Sequence, residues 1–238
     1  MNFRRDGGRP LVIGHRGAAA VAPENTLASF AAAVDAGCDL VEFDVGADLV
    51  VAHSASELPD APISLDDALD FLHGRGVGAH VDVKKLGIEP QVVAALRRHG
   101  LAGNALVSSA IPRVVRRTAA LAPDVSRALG YPRDRLGAGG LAWPETVAAN
   151  GARVLCAVMP LRVPLLLRSA RATALALHRA IVSRGAVAAA HARGAAVVAW
   201  TANEPADVAR LVADGVDAIV SDNPRIVFET LARLGGRQ

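Results

Sequence analysis

The chain has 238 residues, of which 52% are hydrophobic and 3% aromatic, and its formal net charge is +3. This length suits one α/β domain with a sizeable core, so we predict a single domain over residues 1–238. The arginines are scattered, which argues against the basic stripe with stacking aromatic residues that a nucleic-acid surface needs. No run approaches the roughly 18 to 20 apolar residues of a membrane helix, so we expect no stable membrane span.

The N-terminal segment and the two cysteines indicate in which cellular compartment the protein is expected. The N-terminus has arginines but no long apolar segment, and it therefore predicts no signal peptide. Cys38 and Cys156 lie in apolar contexts, which is typical of free thiols in a reducing compartment. We therefore expect a cytoplasmic protein, and the sequence leaves open whether it forms a homodimer.

Short apolar runs and 3.6-residue periodicities alternate along the chain. The predicted extended segments are 11–13, 40–45, 49–53, 78–84, 105–109, 125–131, 153–159, 196–200 and 218–220. The predicted helices are 26–36, 65–73, 89–99, 112–121, 182–192, 205–213 and 224–234, with a glycine-rich loop and a short helix in 136–151. Residues 160–179 are rich in Leu, Arg and Ala and are interpreted as a loop plus an amphipathic helix.

This roughly eight-fold alternation of strand and helix defines the fold class. Most of the strands are wholly apolar, as in a parallel sheet covered by helices on its outer face. In a chain of this length the pattern favours an α/β protein built as one (β/α)₈ TIM barrel over an open sheet. The catalytic residues of such barrels lie at the carboxyl ends of the strands.

Polar side chains stand at these predicted strand ends. They are His15, Arg16, Glu42, Asp44, His53, Asp82, Lys84, Ser108, Ser109, Thr201, Asn203, Ser221 and Asp222. Each one taken alone has an ordinary structural explanation, such as a solvated strand end or a simple salt bridge. Their joint occurrence on successive strands instead indicates one shared pocket.

Glu42, Asp44 and Asp82 stand on neighbouring predicted strands, and their carboxylates would repel one another. Burying Glu42, Asp44 and Asp82 together costs several kcal/mol unless a cation compensates their charge. Three hard oxygen ligands suit Ca²⁺ or Mg²⁺ better than Zn²⁺. The sequence therefore predicts a divalent cation as cofactor.

The remaining charged residues suit an anionic substrate. Arg16 and Lys84 can bind a phosphate, and Lys84 with Lys85 are the only lysines among 26 basic residues. His15 and His53 can serve as an acid and base pair near neutral pH. A cation, a phosphate clamp and two histidines together indicate a phosphodiesterase with a small-molecule substrate.

These motifs resemble the glycerophosphodiester phosphodiesterases, a family of the PLC-like phosphodiesterase superfamily. The resemblance rests on HRG at 15–17, PENT at 23–26, SF at 29–30, E-x-D at 42–44, VVxH at 50–53, D-x-K at 82–84, WTxN at 200–203 and GVDAIVSDNP at 215–224. These motifs extend over nearly the whole chain. The first and last of them are the most specific.

The resemblance implies a TIM barrel, phosphodiester hydrolysis and a role in lipid metabolism. It implies a metal site of Glu42, Asp44 and Asp82, the acid–base pair His15 and His53, and phosphate contacts from Arg16 and Lys84. The residues expected around the cation or along the pocket are Glu24, Asn25, Trp200, Asn203 and Asp222. In the mechanism proposed for the family, a neighbouring glycerol hydroxyl attacks phosphorus and water then opens the cyclic product.

The chain departs from the family pattern at four places. Ser54 stands where the family has Asp, Asp82 replaces a Glu, the link from Asp44 to His53 is short, and most of the small inserted subdomain before Asp82 is missing. The missing cover predicts room for a bulkier leaving group, such as a lysophospholipid. Two alternatives stay open: a barrel that binds phosphorylated ligands without turnover, and a metal-dependent amide or ester hydrolase, which leaves the two cations unexplained.

Overall fold

The structure, a computed structural model, describes residues 3–5, 7–53, 62–132 and 145–235. In these residues eight parallel strands pair in chain order, and the last pairs with the first to close a barrel. The strands are β1 (Leu11–Gly14), β2 (Leu40–Val45), β3 (Gly78–Val83), β4 (Ala105–Ser109), β5 (Ser126–Tyr131), β6 (Ala174–His178), β7 (Ala196–Trp200) and β8 (Ala218–Ser221).

The helices between the strands form the outer layer. They are α1 (Leu27–Asp35), α2 (Leu65–His73), α3 (Glu89–Arg98), α4 (Pro112–Leu121), α5 (Glu145–Ala170), α6 (Arg184–His191), α7 (Pro205–Asp214) and α8 (Pro224–Gly235). The (β/α)₈ TIM barrel expected from the sequence is thus confirmed.

The barrel interior is apolar in its lower part and polar at its upper end. Buried Ile13, Leu40 and Leu106 belong to one interior cluster. Because alternate residues of a strand share one face, Glu42 and Asp44 lie on the same side of β2 as Leu40, further toward its carboxyl end. The packed lower layer therefore carries the polar residues at the barrel mouth.

The prediction was wrong in two regions, residues 49–53 and 153–179. The run 49–53 is not a strand of the barrel, because Ala47–Leu49 form a 3-10 turn and only Val50 and Val51 make isolated antiparallel bridges. The apolar run 153–159 is not a strand but lies inside the 26-residue helix α5, and the strand that follows β5 is Ala174–His178. A short apolar run cannot be assigned to strand or helix from its periodicity alone. The Ala-Leu sequence of β6 looks helical, yet both of its edges are occupied by β5 and β7, which impose the extended form.

Helix α5 also bears on the expected absence of a membrane span. Within the described residues, the stretch Asn150–Ala170 is long and apolar enough to cross a membrane by length and composition. Its buried residues Met159, Val163, Leu167 and Ala170 follow one face of the helix, which packs into the apolar layer between the strands and the helices. The carboxyl-terminal half of α5 is therefore part of the barrel wall.

Both cysteines are free thiols, as the sequence predicts. Cys38 is buried, and burial raises the pKa of its thiol to about 12. Cys156 on α5 is half-buried, and its Sγ lies 3.7 Å from the carbonyl oxygen of Val182. The compartment itself stays a prediction.

Candidate active site

The segment after β1 is a tight turn that requires its glycine. Gly17 has φ of 90°, and a Cβ at this position would lie 2.3 Å from Oγ of Ser29. That serine belongs to the capping box of α1, and its hydroxyl donates to the carbonyl oxygen of Arg16 at 2.9 Å. The turn directs the backbone N–H of Arg16 at Oε2 of Glu42, 2.9 Å away. The GHRG motif thus connects α1 to the carboxylates of β2.

The three carboxylates predicted as cation ligands do come together. Strands β2 and β3 run in register with Asp44 opposite Asp82. Glu42, Asp44 and Asp82 each offer an oxygen, and these oxygens lie within 4.8 Å of one another. Asn25 fixes Asp44 from behind, because its Nδ2 donates to Oδ2 and its Oδ1 accepts from the Asp44 amide, each at 3.2 Å.

Cationic side chains balance only part of this negative charge. Lys84 Nζ lies 2.6 Å from Oδ1 of Asp44 and also pairs with Asp82, while Nε of Arg16 lies 3.1 Å from the other Asp44 oxygen. Oδ1 of Asp44 is buried and has no hydrogen bond of good geometry in the described residues. This oxygen and its neighbours form a donor set that fits a hard divalent cation.

The pKa values of Glu42 and Asp44 are shifted because the carboxylates are buried close together. Burial, with the charge of Asp44, raises the pKa of Glu42 to about 7. Burial alone would raise the pKa of Asp44 as well, but His53, Lys84 and Arg16 hold it below its usual value. Glu42 is thus partly protonated near neutral pH, and a cation at this site would displace that proton.

His15 is oriented by a carboxylate on the last strand end. Its Nδ1 lies 2.5 Å from Oδ1 of Asp222, and its Nε2 lies 3.9 Å from Oε2 of Glu42. Asn203 donates to Asp222 through Nδ2 and accepts from its backbone N–H at 2.9 Å. Burial opposes the charged imidazole, but the bond to Asp222 and the charge of Glu42 outweigh it and raise the pKa of His15.

We predict that Asp222→Asn lowers kcat/KM for a phosphodiester by about 10- to 100-fold, the usual cost of losing a group that orients a functional ring. The carboxylate favours the imidazolium, so its removal lowers the pKa of His15 and moves the matching limb of the pH–rate profile to lower pH. Full pH profiles of kcat/KM check both effects. Asp214→Asn, which loses only an ion pair with Arg210 on α7, is the matched control, and an unmoved pH limb would contradict the assigned contact.

His53 has two competing partners. Its Nδ1 lies 3.0 Å from Nη2 of Arg16 and 3.2 Å from Oδ2 of Asp44. This nitrogen can accept from the guanidinium or donate to the carboxylate, but it cannot do both at once. Glu24 lies on the far side and accepts from Nη1 of Arg16 at 2.7 Å. Ser54 lies outside the described residues, so the effect of that departure stays a prediction.

Sequence reasoning missed a buried chain of hydrogen bonds beneath Asp82. Oγ of Ser108 donates to Oδ1 of Asp82 at 2.6 Å, and Nε2 of His80 lies 2.9 Å from the same hydroxyl. His80 is two residues before Asp82 on β3 and shares its face, which is the signal that could have found it. Burial lowers the pKa of His80 to about 4. The chain fixes the position of the shorter Asp82 side chain.

One cavity of about 410 Å³ collects these groups at the barrel mouth. It is lined by nine of the thirteen polar residues predicted at the strand ends, namely His15, Arg16, Glu42, Asp44, His53, Asp82, Lys84, Ser108 and Ser109. Trp200 also lines it, with its ring edge-on to His178 at 5.4 Å between centroids. Glu24, Asn203 and Asp222 line a neighbouring depression instead, and Asn25 is buried.

The sequence pattern of the Glycerophosphoryl diester phosphodiesterase family matches residues 15–48 and 131–226. The chain belongs to this family. It is therefore a phosphoric diester hydrolase of the glycerophosphodiester phosphodiesterase type. The matched residues contain His15, Arg16, Glu42 and Asp44, and enzymes of this family generally use a divalent cation.

Solved structures share the fold along nearly the whole chain. A Silicibacter pomeroyi protein assigned as a glycerophosphoryl diester phosphodiesterase has a TM-score of 0.78 and 22% identity, with 98% of this chain and 97% of that chain covered. A phosphodiesterase from Oleispira antarctica, in complex with the product sn-glycerol-3-phosphate, has a TM-score of 0.71 and 23% identity over 94% and 97%. A glycerophosphodiester phosphodiesterase from Parabacteroides distasonis has a TM-score of 0.72 and 19% identity over 96% and 98%. No curated protein sequence matches the chain.

Proposed function

We propose that the enzyme hydrolyses a glycerophosphodiester or a related lipid-derived phosphodiester, with a divalent cation and two histidines. The observation that carries this proposal is a single cavity lined by three carboxylates, the imidazoles of His15 and His53 and two cationic side chains. Arg16 and Lys84 suit a phosphate, and they would have no partner in the substrate of an amide or ester hydrolase.

Glu42, Asp44 and Asp82 would hold the cation, Ca²⁺ or Mg²⁺, because all three offer hard oxygen ligands. When bound, it supplies positive charge opposite the phosphoryl oxygens. Lys84 now pairs with both Asp44 and Asp82. With another cation in that role, the ammonium of Lys84 would be free to contact the substrate phosphate beside Arg16.

His15 is suited to act first as the base. Its Nδ1–H is directed to the Asp222 carboxylate, which leaves the lone pair of Nε2 toward the cavity. Nε2 takes the proton of a neighbouring hydroxyl of the substrate as that oxygen bonds to phosphorus. The bond from phosphorus to the leaving alcohol breaks, and His53 gives that alcohol its proton.

The histidines exchange roles in the second step. His53 now takes a proton from water as the water oxygen bonds to phosphorus, and His15 returns its proton to the oxygen released from the cyclic phosphodiester. The two partners of His53 support both roles. When Nδ1 accepts from Arg16, Nε2 carries a proton to give, and when Nδ1 donates to Asp44, Nε2 is free to accept one.

The remaining walls of the cavity favour a substrate whose alcohol group has apolar parts. Its walls include Ala110, Ile111, Pro132 and Trp200, which lie at or just after the ends of β4, β5 and β7. These groups offer contact area but few hydrogen-bond partners. A lysophospholipid or another phosphodiester with an apolar group near the phosphorus fits this wall better than a highly polar alcohol.

The test is turnover of a soluble chromogenic glycerophosphodiester, which carries the neighbouring hydroxyl, followed by a panel of other glycerophosphodiesters and lysophospholipids with product identification. We expect cation-dependent release of an alcohol and a phosphomonoester, and no turnover of amide or carboxylic ester analogues. Absence of turnover across the panel, with cation binding intact, would overturn the proposal in favour of a barrel that binds phosphorylated ligands without turnover.

A further inference from the structure

Helix α5 presents an apolar stripe to solvent. Val154, Val158, Leu161 and Leu165 are exposed by 65, 36, 83 and 69%. Their spacing of four, three and four residues places them on one face of the helix. They account for most of the exposed large hydrophobic side chains in the described residues, so the stripe is a concentrated apolar surface rather than scattered exposure.

The stripe rises beside the mouth of the cavity. The guanidinium of Arg162 lies 5.5 Å from the ring centroid of Tyr131, the last residue of β5, and the next residue, Pro132, lines the cavity. Helices of a TIM barrel run back from the mouth, so residues before Arg162 lie further out. At ~1.5 Å per residue, Val154 stands about 12 Å beyond that level. Residues 150–158 include none that is buried.

The charged side chains beside the stripe on α5 are all positive. Arg153 and Arg168 flank it on one side of the helix and Arg162 on the other. All three are exposed. Between Glu145 and Glu204 the chain contains no Asp or Glu. The face therefore combines exposed apolar side chains with cations, and the segment that carries it contributes no carboxylate to neutralise them.

We propose that this face docks the enzyme on an anionic lipid surface, with the α5 stripe in the headgroup–acyl boundary and its arginines among the headgroup phosphates. A second copy of the chain fits the face less well, because a two-fold interface would bring these arginines against their own counterparts. The helix lies on the surface and does not span it, since its other face is packed in the barrel. Resting on the proposed function, this placement brings the cavity mouth to lipid-derived phosphodiesters.

The test is co-sedimentation of the full chain with vesicles of phosphatidylcholine alone and of phosphatidylcholine with phosphatidylglycerol. We expect binding to the anionic vesicles that weakens as salt rises. The double variant Val154→Glu/Leu161→Glu is expected to lose at least about tenfold in partitioning, because two apolar contacts become charges. The control Leu121→Glu alters a side chain of similar character, 43% exposed at the end of α4, and is expected to bind as the wild type does.

Hydrolysis of the soluble chromogenic substrate tests the proposed phosphodiesterase function separately from the docking face, because this substrate needs no membrane. We expect the double variant to keep it, which also shows that the variant is folded. If the wild type binds anionic vesicles but does not hydrolyse the soluble substrate, the proposed phosphodiesterase function is contradicted and the docking face is not. Equal partitioning of wild type and double variant, or no binding to anionic vesicles, would overturn the docking face. A wild-type dimer that the double variant dissociates would assign the face to a second copy and equally overturn it.

Discussion

His15→Ala is expected to lower kcat/KM for a soluble chromogenic glycerophosphodiester by about 10²- to 10⁴-fold, the range that a positioned acid–base group contributes. The imidazole of His15 is held by Asp222 at 2.5 Å and lines the cavity, so alanine removes an oriented acid–base group. His53→Ala should give a loss in the same range. The double variant should lose much less than the product of the two, because residues that act as a unit are not additive.

His73→Ala is the matched control for these variants. His73 is an exposed residue at the end of α2, at the opposite end of the barrel from the cavity, and we expect its loss to leave kcat/KM unchanged. Thermal unfolding of each variant shows whether it is folded. A folded His15→Ala enzyme with wild-type kcat/KM at every pH would remove His15 from the chemistry and contradict the proposed acid–base pair.

The fold was predictable from the sequence where local pattern and barrel topology agree. The strand Leu40–Val45 is apolar except for Glu42 and Asp44. The helix before it begins at the capping box of Thr26, and Gly37, with φ of 89°, makes the turn into the strand. The prediction failed where the local pattern was ambiguous. The helix α5 carries Pro160 and Pro164 within it, which argue against an interior helix, and β6 has an Ala-Leu sequence whose extended form comes from its neighbours.

The site was predictable as a set of positions but not as a set of contacts. Alternation along β2 and β3 places the carboxylates on one side, and the strand ends of a barrel bring them together. Which partner each side chain chooses depends on atoms from distant segments. The pairing of His15 with Asp222, 207 residues apart, and the position of Lys84 between two carboxylates follow from tertiary geometry. Likewise, the hydrogen bond of His80 to Ser108 depends on the pairing of β3 with β4.

Chelation is expected to abolish hydrolysis, and Glu42→Gln is expected to weaken cation binding by at least about tenfold. The estimate is a lower bound, because even partners outside the direct ligand set typically cost 10–100-fold in affinity. Glu42 contributes one of three oxygens within 4.8 Å of one another, and the amide removes its charge. Isothermal titration with Ca²⁺ and with Mg²⁺ measures the affinity independently of activity, and Glu229→Gln, an exposed position on α8, is the control.

The pH dependence of this binding follows from the pKa of Glu42, which burial and Asp44 raise to about 7. Below that pH the carboxyl holds a proton that the cation must displace, so the apparent affinity should fall as pH decreases through about 7 and level off above it. In the Glu42→Gln variant this part of the pH dependence should disappear, because the amide does not titrate. Titrations at pH values on either side of 7 decide the point: an affinity independent of pH in the wild type would mean that Glu42 holds no proton for the cation to displace, which would contradict its raised pKa, whereas the loss of affinity in Glu42→Gln tests separately whether Glu42 is a ligand.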